Sequence, residues 1–563
     1  MNKHISKFRY LPQYLALIPV LWVIVAFVVF PTIRTIEQSL AGNAKLYTDF
    51  FDFSRAKNPN ITALVNSIDI SIQSVLYCGI LGTLLAFLIG RFDFPGKRIM
   101  NIAAVSPLIL PSLISVLAFI FLYGESGFIT KGIQSLFHLE NVPFMIKGKK
   151  GILLVHIYTQ YVFFYLNVSS ALKGVDRSLE ESARNLGANR TQAFFRVTLP
   201  MLTPALVASA LLVFMTSMAS FSAPLLLGGN FRLLSTQLYI SKLNNNLPLA
   251  AVQSVVLSFF SILFLIILKW YEGKRSYSLS SKGVSSQVTE IRSPVGKITC
   301  IALGAFIELL LLLPLLVVII ISFVPEGTWT YQIYPTTFNF DNYKKLFMIP
   351  KVFQPIYNSI KMAGLSTVLD AIFGVAASYL IVNSKIRGKW LVDLLIMVPW
   401  ALPSSVIAIN LILAFNQPTI FSNSQILVGT FWILPIAYFI KHLPLVVRTS
   451  NAALTQFDDT LEMAARSLGA SWFHAFRKIV LPIILPGVMA GVLMAFVSAC
   501  GEFTSSFMLY IFSNKPISVA IAAQMDQFNL GQACAYGVLQ ILLIFIVVAA
   551  TNRITKADTV RIL

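Results

Sequence analysis

Long apolar stretches recur along the 563-residue chain, and short polar segments separate them. A stretch of about 20 apolar residues can cross the roughly 30 Å hydrocarbon layer of a membrane as an α-helix. A helix also satisfies its own backbone hydrogen bonds, which lipid cannot do. The pattern therefore predicts an all-α polytopic membrane protein of about twelve transmembrane helices. The predicted spans lie near residues 11–30, 70–90, 102–122, 151–172, 204–226, 249–270, 298–323, 359–382, 391–414, 426–440, 486–510 and 534–550.

The composition agrees with this class of protein. Of the residues, 56% are hydrophobic and 12% are charged, and the mean hydropathy is +0.76, which is too apolar for a soluble globular protein. The first span follows a basic lead and has no small-residue cleavage pattern after it, so we interpret it as an uncleaved span and not as a signal peptide.

Basic residues follow alternate spans. They cluster at residues 91–98, 173–190 and 385–389 and at both ends of the chain, whereas residues 147–150 are the exception on the opposite face. The positive-inside rule makes the basic face cytoplasmic, so we expect both termini in the cytoplasm. The net charge of +20 is then mainly a topology signal. It indicates a protein whose partner is the lipid bilayer and not nucleic acid.

One polar stretch occurs twice. Residues 179–188 read LEESARNLGA and residues 461–470 read LEMAARSLGA, and each stretch leads on to Leu-Pro. Gly187 and Gly469 are 282 positions apart (469 − 187 = 282), and so are Pro200 and Pro482. A gapless match over this length indicates that one unit has been doubled.

The duplication extends beyond this motif. Asn66-Ser67 matches Asn358-Ser359 at an offset of 292 (358 − 66 = 292). Six spans separate the two motif copies, and an even number returns the chain to the same side, so the halves are predicted to be parallel repeats. We predict a first repeat over residues 1–270, a polar cytoplasmic linker over 271–297, and a second repeat over 298–563.

Each motif copy is expected to form a short helix, a break and a second short helix, with Leu-Pro opening the next span. Ser178 and Glu181 have the spacing of a capping box, and Asp459 and Glu462 have it in the second copy. The glycine after each first helix allows the backbone to turn. Proline suits the start of a helix, where a missing amide hydrogen costs little.

These residues resemble the signature of the permease subunits of type I ATP-binding-cassette (ABC) importers. The signature is Glu-Ala-Ala, three residues, glycine, nine residues, a hydrophobic residue, any residue, and Leu-Pro. Met463 stands where the family has the glutamate of the second copy, and we hypothesise that Glu462 replaces it. By this resemblance the residues that couple to the ATPase are Glu180, Glu181, Ala183, Gly187, Leu199, Pro200, Glu462, Ala464, Ala465, Gly469, Leu481 and Pro482.

The resemblance implies a fused, double-length permease of the bacterial inner membrane. Each motif would be a coupling helix that docks into an ATPase subunit, so two copies of an ABC ATPase are expected. An extracytoplasmic solute-binding protein would deliver the solute, which would cross by alternating access. ATP and Mg²⁺ would be bound by the ATPase partner.

The chain itself has no recognisable catalytic motif. The segment GRFDFPGKR at residues 90–98 has proline and arginine where a phosphate-binding loop needs glycine and Ser/Thr. There is no His-Glu-x-x-His or Gly-x-Ser-x-Gly sequence, and the four cysteines lack metal-ligand spacing. We therefore expect a non-catalytic subunit with no metal site and no cofactor of its own.

Carboxylates inside apolar spans are costly and are functional candidates by default. Asp370 lies near the middle of its predicted span, and Glu502 lies in the span after the second motif, where its repeat partner is Ser220. A local hydrogen-bonding role, or simple contact with water, is the alternative for each. The predicted substrate-pathway residues are Ser220, Phe221, Ser222, Asp370, Glu502, Phe503 and Thr504.

The solute is predicted to be iron(III), because the segments around Glu502 and Lys515 resemble the iron(III) branch of the family. A hard cation is consistent with oxygen ligands. Aminoethylphosphonate, thiamine and polyamine are the alternatives within the class. A proton-coupled secondary transporter that uses Asp370 and Glu502 is the alternative from another class, but it does not explain the two motif copies.

Overall fold

The computed structural model describes residues 11–41, 45–54, 58–108, 110–175, 177–274, 289–290, 294–328, 332, 334–384 and 386–555. Residues 1–10 and 556–563, which hold most of the basic residues at the two ends of the chain, lie outside them, as do residue 385 and most of the predicted linker over 271–297. The described chain is helical, apart from a parallel pairing of Phe92–Asp93 with Thr289–Glu290. The α-helices are Leu11–Ile24, Phe30–Leu40, Lys45–Phe50, Pro59–Arg91, Lys97–Val105, Ser112–Tyr123, Phe128–Leu136, Gly148–Lys173, Arg177–Asn185, Arg190–Ala193, Leu199–Met218, Ser222–Leu227, Leu234–Leu243, Leu247–Lys274, Pro294–Ser322, Asp341–Met348, Pro350–Asn383, Lys389–Ala401, Ser404–Phe415, Ile433–Thr455, Asp459–Ser467, Trp472–Ala475, Leu481–Gly501, Thr504–Leu509, Ile517–Asp526 and Leu530–Thr555.

The predicted membrane helices are present, although some differ in extent. Within the described ranges, ten helices are long and apolar enough to cross a membrane, and the pair Lys389–Ala401 and Ser404–Phe415, bent by 109°, makes an eleventh. The tenth predicted span, 426–440, was misplaced: the helix runs over Ile433–Thr455 and carries Lys441 and Arg448. The polar residues lower the mean hydropathy of this helix, so a hydropathy pattern does not show its true extent.

Proline explains where two predicted spans are broken. Residues 102–122 form two helices, Lys97–Val105 and Ser112–Tyr123, and the second begins directly after Pro111. Ser404–Phe415 likewise begins directly after Pro403. Proline lacks the amide hydrogen that a continuing helix needs and restricts the residue before it.

Three wide helical turns precede an X-Pro pair. They are Val25–Val29, Phe194–Thr198 and Phe476–Val480, and each is followed by an apolar residue and then proline. In the second, the Leu199 amide donates to the Phe194 carbonyl, five residues back. The wider turn makes room for the proline ring, which would clash with a carbonyl in a regular α-helix. The α-helices Leu199–Met218 and Leu481–Gly501 begin at Leu-Pro, as expected. The wide turn joins each of them to the short helix before it, so the apolar helix as a whole runs over Arg190–Met218 or Trp472–Gly501.

The chain forms two compact units. One contains residues 1–49, 238–258 and 340–561. Its core joins Pro350–Asn383, Ile433–Thr455 and Leu481–Gly501, and a Cβ added at Gly374 would lie 2.7 Å from a Val446 methyl. The helix Phe30–Leu40 belongs to this unit and packs on Ser404–Phe415, where the Thr35 hydroxyl donates to Asn410 Oδ1 at 2.7 Å.

The other unit contains residues 50–237 and 259–339. Its core joins Pro59–Arg91, Gly148–Lys173 and Leu199–Met218, and a Cβ at Gly82 would lie 2.4 Å from the Tyr161 carbonyl oxygen. Helix Pro294–Ser322 packs within this unit, where Tyr158 donates to the Leu311 carbonyl at 3.0 Å. The compact units thus differ in their membership from the sequence repeats, whose boundaries at 270 and 298 stay a prediction.

Candidate functional site

The first motif copy is a tight helix–turn–helix. Helix Arg177–Asn185 is followed by a turn at Gly187, whose φ is +94°. The Ala188 amide donates to the Ala183 carbonyl at 3.0 Å and closes this turn. This left-handed C-cap favours glycine, because a Cβ is strained at positive φ even though no atom lies within 4 Å of its position. Asn189 then caps the next helix in a capping box with Gln192.

The second copy has the same backbone. Helix Asp459–Ser467 is followed by a turn at Gly469, whose φ is +93°. The Ala470 amide donates to the Ala465 carbonyl at 3.1 Å and closes this turn. Ser471 caps the following helix by accepting from the His474 amide at 3.2 Å. Two glycines in equivalent turns support the prediction that one unit was doubled.

The predicted capping boxes at the start of each motif were wrong. Ser178 lies inside helix Arg177–Asn185, so it is not the residue that caps it. In the second copy the cap is Asp458, not Asp459, and Asp458 Oδ1 accepts from the Thr460 amide at 3.0 Å. Hydrogen bonds from the side chain and the backbone of Thr460 lower the pKa of Asp458.

Glu180 and Glu462 occupy equivalent positions, and both turn towards the membrane helices. The Glu180 carboxylate forms an ion pair with Arg91 and accepts a hydrogen bond from the Thr198 hydroxyl. Glu462 is 8% exposed and accepts from the Tyr379 hydroxyl at 3.1 and 3.2 Å. Each glutamate therefore ties its motif helix to the last turns of the span Pro59–Arg91 or Pro350–Asn383.

The next position faces outward in both copies. Glu181 is exposed, and Met463 at the matching position is 59% exposed. The departure from the family signature thus falls on a surface position. Glu462 is at the position that matches Glu180 in the repeat, whereas Met463 is at the position that matches Glu181.

Aromatic packing holds the second part of each motif against the span that its glutamate also contacts, Pro59–Arg91 in the first copy and Pro350–Asn383 in the second. The rings of Phe87 and Phe194 are 5.4 Å apart, and those of Tyr379 and Phe476 are also 5.4 Å apart. In the second copy Trp472 stacks on Phe476 and donates to the Tyr379 hydroxyl at 2.8 Å. Movement of either motif would therefore be transmitted to its span.

Each motif presents a large apolar side chain at its tip. Leu186 is 89% exposed and Leu468 is 90% exposed, and both directly precede the turn glycine. Leu179 and Leu461 on the same short helices are also exposed. Apolar side chains exposed on an otherwise polar segment are typical of a contact surface.

Six of the seven predicted pathway residues lie at or next to helix breaks, and Asp370 lies within the continuous helix Pro350–Asn383. Ser220 and Phe221 separate Leu199–Met218 from Ser222–Leu227, and Glu502 and Phe503 separate Leu481–Gly501 from Thr504–Leu509. Phe221 and Phe503 are each 2% exposed. A break in a helix frees backbone groups, and within a membrane such backbone is tolerated where it is buried in protein or lines a cavity.

Glu502 lies beside the bent span. Its carboxylate accepts from the Ser404 hydroxyl at 3.3 Å and from the Ser505 amide at 3.1 Å. Nearby, the Lys441 ammonium donates to the Leu402 carbonyl at 2.7 Å, at the same bend. Lys441 was missed at the sequence level, because its helix was misplaced.

Ser220 is held by a buried histidine, His156. His156 Nε2 is 2.8 Å from the Ser220 hydroxyl, and Nδ1 is 3.0 Å from the Ser74 hydroxyl. Ser74 donates to the Ile70 carbonyl, so it accepts from Nδ1–H, and Nε2 accepts from Ser220. A lone histidine in an apolar stretch gave no signal of this arrangement.

Asp370 is separate from the Glu502 group. It is 1% exposed, and neither carboxylate oxygen has a hydrogen-bond partner among the described residues. Within the same residues, no group of three or more His, Cys, Asp and Glu side chains is placed to hold a metal ion. Asp370 remains a candidate pathway residue.

The sequence matches a known family in both halves. The model of the binding-protein-dependent transport system inner membrane component matches residues 79–277 and again 370–557. The chain belongs to this family, and it is a multi-pass, double-length ABC importer permease of the inner membrane. Family membership decides against the proton-coupled carrier, and the hydrolysis of ATP in such systems belongs to a separate subunit.

Two relatives extend over most of the chain. The "Probable ABC transporter permease protein y4fN" of Sinorhizobium fredii is 28% identical over 516 residues, 90% of this chain and 90% of that protein. The "Ferric transport system permease protein FbpB" of Actinobacillus pleuropneumoniae is 26% identical over 561 residues, 96% of this chain and 79% of that protein. Relatives named for sulfate and molybdenum transport match only 34% and 35% of this chain.

Proposed function

We propose that this permease binds two ATPase subunits, one through each motif, and imports a solute that an extracytoplasmic binding protein delivers. The observation that carries this proposal is the pair of equivalent helix–turn–helix motifs with exposed leucine tips. Glu180 and Glu462 tie each motif to a membrane span, so closure of an ATPase pair would pull on both spans. Both motifs and both termini are proposed to lie in the cytoplasm, which agrees with the placement of basic residues.

The proposed solute is iron(III). The relative named as a ferric permease matches nearly the whole chain, whereas those named for sulfate and molybdenum match about a third of it. Glu502 and Ser404 bring carboxylate and hydroxyl oxygens together at the helix breaks of one compact unit, and a hard cation prefers oxygen ligands of this type. Aminoethylphosphonate, thiamine and polyamine are the competing solutes.

Uptake assays test the solute directly. In proteoliposomes that contain the permease, its ATPase and its binding protein, we expect ATP-dependent uptake of radioactive iron(III). An excess of unlabelled iron(III) should suppress this uptake, and aminoethylphosphonate, thiamine and spermidine should not. Suppression by one of these organic solutes, with no iron accumulation, would assign the transporter to that solute instead.

Replacing Glu502 tests the proposed pathway. We expect Glu502→Ala to lower solute uptake by about tenfold or more, because this carboxylate lies at a helix break and accepts from Ser404 at the bent span. Binding of the ATPase should not change, since Glu502 lies on neither motif. Glu308→Ala, on the half-buried face of Pro294–Ser322, is the control and should transport normally. Unchanged uptake by Glu502→Ala would remove this residue from the pathway.

A further inference from the structure

A cavity of about 850 Å³ lies beside the first motif, within one compact unit. Its walls are the last turn of Pro59–Arg91, the loop that follows, the start of Lys97–Val105 and the last turns of Gly148–Lys173. The cavity is within the range of about 300–1,000 Å³ that is usual for small-molecule sites. It is separate from the leucine tips and from the helix breaks described above.

The cavity has a surplus of positive charge. Four basic side chains and one carboxylate line it: Arg91, Lys97, Arg98, Lys173 and Asp93. Arg91 is paired with Glu180. Among the described residues, no carboxylate lies within ion-pair distance of Lys97, Arg98 or Lys173. Burial lowers the pKa of Lys97, while the Asp93 carboxylate opposes this effect.

Neutral donors complete the lining. Asn101, Tyr165 and Ser169 lie along the same cavity, and Tyr165 donates to the Asn101 side-chain oxygen. Guanidinium and ammonium groups beside hydroxyl and amide groups are the donor set that binds phosphate oxygens.

The second half does not repeat this basic set. Asn383 and Trp390 occupy the positions equivalent to Arg91 and Arg98 at the offset of 292, and Thr455 occupies the position equivalent to Lys173 at the offset of 282. Only Lys97 keeps its charge, as Lys389. The equivalent loop of the second half is also basic, through Lys385, Arg387 and Lys389, but it lacks the counterparts of Arg91, Arg98 and Lys173 that line the cavity of the first half.

We propose that this cavity binds the phosphate group of an anionic ligand. The surplus charge, the phosphate-binding donor set and the size of the cavity all favour this chemistry. A phospholipid headgroup at the membrane surface and a free phosphate in the cytoplasm both present it. Because Arg91 lines the cavity and also holds Glu180, the bound anion would lie next to the contact that anchors the first motif.

Binding is tested on the full chain in nanodiscs of phosphatidylcholine. Short-chain phosphatidylglycerol and inorganic phosphate are titrated separately, and bound ligand is counted by native mass spectrometry. We expect saturable binding of at least one of them. Lys97→Gln/Arg98→Gln/Lys173→Gln should weaken it about a hundredfold, because each basic group near a membrane surface contributes about 1 kcal/mol, or roughly fivefold in affinity. This variant keeps Arg91 and its ion pair.

Two further variants make the test specific. Arg387→Gln/Arg477→Gln/Lys478→Gln removes three exposed charges from the second half and should bind as the unmodified protein does. Arg98→Trp introduces the residue of the second half and should weaken binding about fivefold. Binding of phosphatidylglycerol alone identifies a lipid site, and binding of phosphate alone identifies a site for a soluble anion. Binding of neither probe, or equal binding by the triple cavity variant, would overturn the proposal.

Discussion

Replacing both tip leucines with aspartate, Leu186→Asp/Leu468→Asp, is expected to abolish binding of the ATPase subunits while the membrane helices still insert. The side chains are 89% and 90% exposed, so they contribute little to the fold of the isolated chain. Full burial of a leucine against a partner is worth about 2 kcal/mol, or roughly thirtyfold in affinity per motif. A carboxylate at the same position adds the cost of removing a charge from water.

The measurement is titration of the reconstituted permease with its ATPase subunit, followed by the rate of solute-stimulated ATP hydrolysis. Single variants should each weaken binding, and the double variant should eliminate stimulated hydrolysis. Ile420→Asp is a matched control, because Ile420 is 91% exposed but lies in the loop between Ser404–Phe415 and Ile433–Thr455. Normal ATPase binding by the double variant would rule out the leucine tips as the docking contacts.

Removing the charge of Glu180 is expected to loosen the first motif more than the matching change loosens the second. Glu180→Gln leaves Arg91 without its counter-charge. Water replaces this contact poorly, because the Arg91 side chain is only 26% exposed and that of Glu180 only 17%. We expect a cost of about 1.5–3 kcal/mol, which is typical for the loss of a charged hydrogen bond. Glu462→Gln keeps an oxygen that can accept from the Tyr379 hydroxyl, and it loses an ion pair with Arg466 at 3.8 Å, in which the arginine is 56% exposed. Its expected cost is therefore smaller, about 0.2–1 kcal/mol.

Amide hydrogen exchange over residues 177–188 and 459–470 measures both effects on the local structure. A double-mutant cycle with Arg91→Met supplies the control, since the paired change should cost less than the sum of the single changes. If the two costs simply add, the Arg91 contact does not anchor the motif. Equal exchange in the Glu180→Gln and Glu462→Gln variants would contradict the difference between the two halves.

The two glutamates in Leu179-Glu180-Glu181 illustrate what could be predicted from the sequence. The family signature drew attention to Glu181, whose counterpart is Met463. The structure shows that the adjacent pair, Glu180 and Glu462, makes the inward contacts. Which glutamate turns inward depends on Arg91, a residue 89 positions away, and this distance is beyond the reach of local pattern.

The helix breaks also show that the sequence indicates some features and that packing decides others. Proline interrupts the hydrogen bonding of a helix, and breaks occur beside Pro107, Pro111 and Pro403. The 109° bend, its contact with Glu502 through Ser404, and the His156–Ser220 pair needed the packed structure. A hydropathy pattern treats each segment by itself, so it cannot show which polar groups meet across helices.

The sequence by itself determined the membrane class, the doubling of one unit, the two turn glycines and the family. These follow from properties that act locally or repeat at a fixed offset: the transfer of apolar side chains into lipid, and the backbone freedom of glycine. Only the tertiary structure decided which side chains anchor each motif, where the spans bend and which basic residues share a cavity. Those outcomes depend on contacts between helices that are distant in the chain, and such contacts form only when the helices pack.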